Sequence, residues 1–91
     1  MKFIWDENKR KTNLQKHGLD FSNAQKVFSG ITFTFEDDRF PYYEQRFIAI
    51  GMLNSKVVVI AFTERNDTVR IISMRKALKN EKRTYFRGFT N

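Results

Sequence analysis

Cysteine is absent from the 91 residues, which excludes disulfide cross-links, thiolate metal sites and a cysteine nucleophile. Histidine occurs once, at His17, so any Ser-His-Asp triad would have to use that ring, and no nucleophile elbow accompanies it. With the Asp37-Asp38 doublet falling in a loop rather than at a ligand spacing, a catalytic metal site has little material. No glycine-rich phosphate loop is present. Glycine appears four times and proline once, each where punctuation is expected. No apolar run approaches the roughly 20 residues of a membrane span. The opening MKFIWDENKRK places its charges after a very short apolar piece, the reverse of a secretory leader. A soluble, cytoplasmic protein with neither metal nor other cofactor is the expectation.

What is abundant is aromatic and basic. Ten Phe, three Tyr and one Trp supply most of a core, since each ring buries on the order of 150–250 Å². A chain this short buries only roughly two-thirds of its unfolded surface, which suits a single domain over residues 1–91. Seventeen Lys and Arg against ten Asp and Glu leave a net charge of +7. That balance favours a polyanionic partner: nucleic acid, an acidic protein or an anionic surface.

The patterning is α+β. Residues 1–5 alternate weakly and suit a short extra N-terminal strand. Asp6 stands where a helix N-cap belongs, ENKRKTNLQKH follows, and Gly18 is placed to end it, with Leu14 as the main apolar residue. Ser22 and Gln25 spell a capping box for a second helix, with Phe21, Ala24, Val27 and Phe28 facing the core and Gly30 stopping it. From Ile31 the period changes to two. ITFTFE, RFIAIGML, VVVIAFTE and TVRIISMR read as four strands, with Pro41 breaking the chain between the first two. Short connections make them an antiparallel meander with the helices packed on one face. KNEKRTYFRGF closes the chain as a basic helix.

The third and fourth of those strands carry the charges that call for explanation. With Asn66-Asp67 as a tight tip, Glu64 pairs with Val69 and Val58 with Arg75. Glu64 then shares a face with Arg75, while Arg70 lies on the other face beside Thr63; a bulge or twisted tip would be needed to unite all three. Arg65, Arg70 and Arg75 outnumber the single local carboxylate, which leaves positive charge for an anion such as phosphate. Metal-independent chemistry on a phosphodiester is then open. RNA supplies its own nucleophile, the 2′-OH, so an enzyme need only align it, move protons and stabilise the crowded phosphorus centre.

Three segments in order, WDENKRKTNLQKHGLDFSNAQKVF, FTERNDTVRIISMRKA and KNEKRTYF, together resemble the BrnT toxins of bacterial type II toxin–antitoxin systems. The resemblance implies a fold similar to the RelE-type ribonucleases and an endoribonuclease that inhibits translation and growth. It also implies neutralisation by a BrnA-type antitoxin with a ribbon-helix-helix domain, through which the pair binds operator DNA. Carried onto this chain, it nominates Glu64 as proton acceptor, Arg70 and Arg75 as phosphate clamps, and Lys9 or His17 as proton donor. Lys16, Arg65, Arg83 and Tyr85 are candidate RNA contacts, Tyr85 having core packing as its alternative. The competing expectations are a non-catalytic RNA- or antitoxin-binding module and a structural subunit whose charge, including Lys9 and Arg10, grips an acidic antitoxin.

Overall fold

In the computed structural model, which describes residues 1–39 and 43–88, an α+β chain builds one sheet with helices on both sides. Its elements are β1 (Lys2–Trp5), α1 (Glu7–His17), a 3-10 turn (Phe21–Asn23), α2 (Ala24–Phe28), β2 (Thr32–Glu36), β3 (Phe47–Leu53), β4 (Lys56–Arg65), β5 (Thr68–Lys76) and α3 (Lys79–Arg87). The strand order is β1-β5-β4-β3-β2. From β2 to β5 the strands make the antiparallel meander expected; the Pro41 break lies outside the described residues. The weakly alternating N-terminus is a true strand, paired parallel to β5 with Phe3 opposite Val69 and Trp5 opposite Ile71.

Helix α1 begins and ends as its residues dictate. The Asp6 carboxylate accepts from the Lys9 N–H at 3.1 Å, and Gly18, at φ 70°, donates its N–H to Leu14 O at 2.8 Å. Leu14, however, is 40% exposed, and the buried residue of this helix is Asn13. The reason lies in the sheet. β1 covers the edge of β5 only as far as Ile71, so the backbone beyond needs partners. The Asn13 amide supplies them: Nδ2 donates to Met74 O at 2.9 Å and to Leu19 O at 3.1 Å, and Oδ1 accepts from Met74 N at 3.2 Å. One side chain thus continues the ladder where the strand stops and fixes α1 along the β5 edge.

The capping box expected of Ser22 and Gln25 does not form; a single cap two residues upstream, at Asp20, takes its place. Asp20 accepts from Ser22 N at 3.0 Å and opens the 3-10 turn, while Asn23 enters α2 with no side-chain cap bond. A carboxylate that reaches the N–H two residues on forms a local turn, and Arg10 anchors this one at 3.1 Å.

The core has two parts because β4 is apolar on both faces. On one side Phe21, Ala24 and Val27 cover Val58, Ile60, Phe62, Val69, Ile71 and Met74. On the other, Ala77 and Tyr85 cover Ile48, Ile50, Val57 and Val59. The helices therefore lie on both faces and not on one, since a sheet this apolar on each side needs two covers. Tyr85 is 3% exposed and its hydroxyl donates to Ile31 O at 2.9 Å, so its packing role is realised.

Candidate functional site

The hairpin closes as its tip requires. Asn66 and Asp67 take φ of 52° and 62°, the pair of positive values of a type I′ turn, which Asn and Asp tolerate better than most residues. Glu64 pairs with Val69 and Thr63 with Arg70, as the tight tip demands. Further along, Val58 meets Lys76 and not Arg75, because the register shifts between Ala61 and Phe62. Ile72 is the extra residue. Strict alternation would drive Ser73 and Arg75 into the face of Phe62 and turn Met74 out. One bulged residue instead sets Met74 opposite Ile60 in the core and swings Ser73 and Arg75 to the α3 face.

That shift regroups the charges. Arg70 and Arg75 now share the α3 face of the sheet, and Glu64 is left on the other, at the exposed hairpin end. Nor are the two arginines left unpaired. Arg70 makes an ion pair with Glu44. Arg75 forms a two-pronged pair with Glu81, both bonds 2.8 Å. These carboxylates come from outside the hairpin, Glu44 from the β2–β3 connection and Glu81 from α3, which is why counting neighbours along the hairpin left charge over. Of the three arginines, Arg65 has no ion pair among the described residues.

The Arg75–Glu81 pair is held in place from both ends. Glu81 also accepts from the Leu78 N–H at 2.8 Å at the start of α3, so its carboxylate is fixed by the helix it caps. The Arg75 hydrogen bonds, opposed by partial burial and aided by that N–H, hold the Glu81 carboxyl below the usual carboxylate range. Arg75 is raised reciprocally by Glu81. Beside them Arg39 binds the buried Asp37 carboxylate with two bonds, 2.7 and 3.0 Å.

Between α1 and β5 lies a basic groove. Its first half, about 350 Å³, is lined by Asn8, Lys9, Thr12, Asn13, Lys16, His17 and the bulged Ile72-Ser73 pair. Its second half, about 630 Å³, is lined by Lys16, His17, Arg75, Lys76 and Leu78. Lys9, Thr12, Asn13 and Lys16 fall at helical spacing and so line one stripe of α1. None of the residues lining either half is acidic. Lys16 and His17 occupy the last turn of α1, where positive charge is favourable.

Of the residues nominated from sequence, Lys16 and His17 line both halves of this groove, Lys9 only the first and Arg75 only the second. Arg70 lies on the same sheet face as Arg75 but does not line it. Glu64 and Arg65 stand at the hairpin tip, and Arg83 and Tyr85 belong to α3. Sequence reasoning missed Asn8, Thr12, Ser73 and Lys76 as lining residues, and Glu81 as the partner of Arg75. The spacing of Val69, Ile71 and Met74 carried a signal: alternation fails between the last two, as at a bulge. Among the described residues no three metal-ligating side chains cluster, and no helix is long and apolar enough to cross a membrane.

No curated protein matches the chain. The family of the ribonuclease toxin BrnT, of type II toxin–antitoxin systems, matches residues 5–81. That span contains the last residue of β1, the whole of α1, strands β2 to β5, and Glu81, and hence every residue that lines the groove. The chain belongs to the BrnT family of type II toxin–antitoxin ribonuclease toxins.

Proposed function

We propose that the α1–β5 groove holds a phosphodiester of RNA and cleaves it without a metal, by attack of the adjacent 2′-OH. The supporting observation is a groove lined by Lys9, Lys16, His17, Arg75 and Lys76 with no acidic side chain among its walls. Arg75, oriented by Glu81, binds the phosphate with a planar fork and stabilises charge as the fifth bond to phosphorus forms. Lys9 and Lys16 hold the flanking anionic oxygens, and Arg70 extends the basic face. His17 accepts the 2′-OH proton; the 2′-oxygen attacks phosphorus, the P–O5′ bond breaks, and Lys9 gives the leaving oxygen a proton. A 2′,3′-cyclic phosphate and a free 5′-OH result. Glu64, nominated as the acceptor from sequence, stands outside the groove, so that role passes here to His17. The natural partner is an antitoxin of the BrnA type, whose ribbon-helix-helix domain brings the complex to operator DNA.

Antitoxin-free protein incubated with RNA in EDTA tests this directly. Cleavage is expected, with a cyclic-phosphate end, and a single 2′-deoxy substitution at the cut should abolish it. His17→Ala and Arg75→Ala should each lose about 100-fold or more in rate, Arg75→Lys a large part of that through loss of the fork, and Glu64→Gln almost nothing. RNA binding without cleavage would support a second reading, a binding-only module. That reading draws on the carboxylates already paired to Arg70 and Arg75.

A further inference from the structure

The groove does not end at Arg75. Lys76 lines its second half and also lines a separate cleft of about 380 Å³ at the end of the sheet remote from the hairpin tip. That cleft is walled by Ser55, Lys56 and Val57 at the start of β4, Lys76 at the end of β5, and Lys82 and Phe86 on α3. Lys82 and Phe86 are four residues apart and so share a helix face. Lys56, Lys76 and Lys82 are all exposed and make no ion pair among the described residues. No acidic residue lines the cleft.

Phe86 gives the cleft its character. It is 49% exposed, although an apolar ring of that size gains by burial. It rests edge-on against Tyr85 at 5.4 Å and 72°, and the Tyr85 hydroxyl donates to Ile31 O. A half-exposed aromatic ring in a cleft shared with three unpaired ammonium groups suits a base stacked on the ring with phosphates on the lysines. Bases inside a duplex are stacked on one another and cannot reach such a ring, so the fit is to a single strand. Lys76, which lines both, joins the cleft to the groove along one basic surface.

We infer that the Lys56–Lys82–Phe86 cleft is a second nucleotide subsite, binding a phosphate–base unit of single-stranded RNA a short distance along the strand from the phosphodiester in the α1–β5 groove. This rests on the proposed ribonuclease reading of the groove. The subsite supplies affinity that is tolerant of base identity, since every base has a face to stack. It favours substrates long enough to span both sites over short ones.

The test uses antitoxin-free protein and fluorescence anisotropy with labelled single-stranded RNA of about 10 nucleotides, within the range one such groove tracks. Phe86→Ala should weaken binding by roughly 5-fold to 150-fold, the span of one lost base stack, and Phe86→Trp should restore it. The Lys56→Ala/Lys82→Ala pair should reduce the slope of log affinity against log salt by roughly 1.4, about 0.7 per phosphate contact. Neither change should alter cleavage of a dinucleotide, which occupies only the groove. Circular dichroism and thermal melting confirm that the variants fold. Three results overturn the subsite. If Lys9→Ala/Lys16→Ala weakens RNA binding while the cleft variants do not, the subsite falls and the ribonuclease reading stands. If neither set moves RNA binding, both fall. If the cleft variants leave RNA binding intact but weaken the antitoxin complex, the cleft is a protein-docking surface.

Discussion

Asn13 shows how one side chain can decide where a helix lies. It sits in a helix whose other residues are largely wet, and it spends its whole amide on the backbone of Met74 and Leu19. Replacing it by Ala leaves those buried groups without partners, which should cost about 2–3 kcal/mol, a fall in Tm of roughly 8–24 °C for a domain this size. Leu14→Ala, at the neighbouring and 40% exposed position, should stay within about 1 kcal/mol. Thermal unfolding followed by circular dichroism separates the two. The inversion is physical: Asn13 is the better anchor because the unpaired edge of β5 offers hydrogen-bonding groups and no apolar pocket. The same edge logic positions the proposed site, because Asn13 holds the stripe of α1 that carries Lys9 and Lys16 against the bulge.

At the scale of elements, two contacts position the sheet against its covers. The bulge at Ile72 keeps Ile71 and Met74 together in the core and turns Ser73 and Arg75 out to the α3 face. Next to the other edge of the sheet, β3 passes so close beneath α2 that Gly51 has no room for a side chain. A Cβ there would lie 2.7 Å from Val27 Cγ1 and 3.1 Å from Thr32 Cγ2. Gly51→Ala should therefore destabilise by about 1–3 kcal/mol through overpacking. Val27→Ala removes the opposing methyl, so it should cost at least about 0.5 kcal/mol less in the Gly51→Ala background than in the native chain. A double-mutant cycle by urea unfolding measures that coupling. Simple additivity would mean that α2 moves aside freely, and the close approach would then have no energetic meaning.

For the whole molecule, the excess of +7 is arranged so that the folded state keeps its carboxylates where they hold elements together. Asp20, lowered first by the Ser22 N–H, opens the 3-10 turn; Glu81, lowered first by Arg75, joins β5 to α3. Both are depressed on folding, so each contributes stability that is complete above the ordinary carboxylate value of about 4. That contribution is lost as pH falls through the lower folded values. Stability should accordingly be flat from about pH 5 to 7 and fall steeply below about pH 4, with self-repulsion of the growing positive charge adding to the fall. Glu81→Gln should lower stability at pH 7 and leave a shallower acid slope, which denaturant titrations at several pH values would reveal. An unchanged slope would show that the pair on Arg75 is not coupled to folding.

The local rules were legible residue by residue: Asp6 and Gly18 bounding α1, the period of two in β2, the doubly apolar run of β4, the Asn66-Asp67 tip, and the basic character that favours a polyanionic partner. Each depends on neighbours within a few positions, where capping, turn and alternation chemistry act. The T-E-R and K-H-G segments carried the family in the same way. What only the tertiary structure decided is which charges meet. Glu44 reaches Arg70 across the sheet, Glu81 folds back onto Arg75, and one bulged residue moves Arg75 from the face of Glu64 to that of Arg70 while α1 brings Lys16 and His17 to Arg75. Alternation gives each strand its faces, but a single extra residue reverses them for everything downstream, and the need to bury Met74 is what sets it.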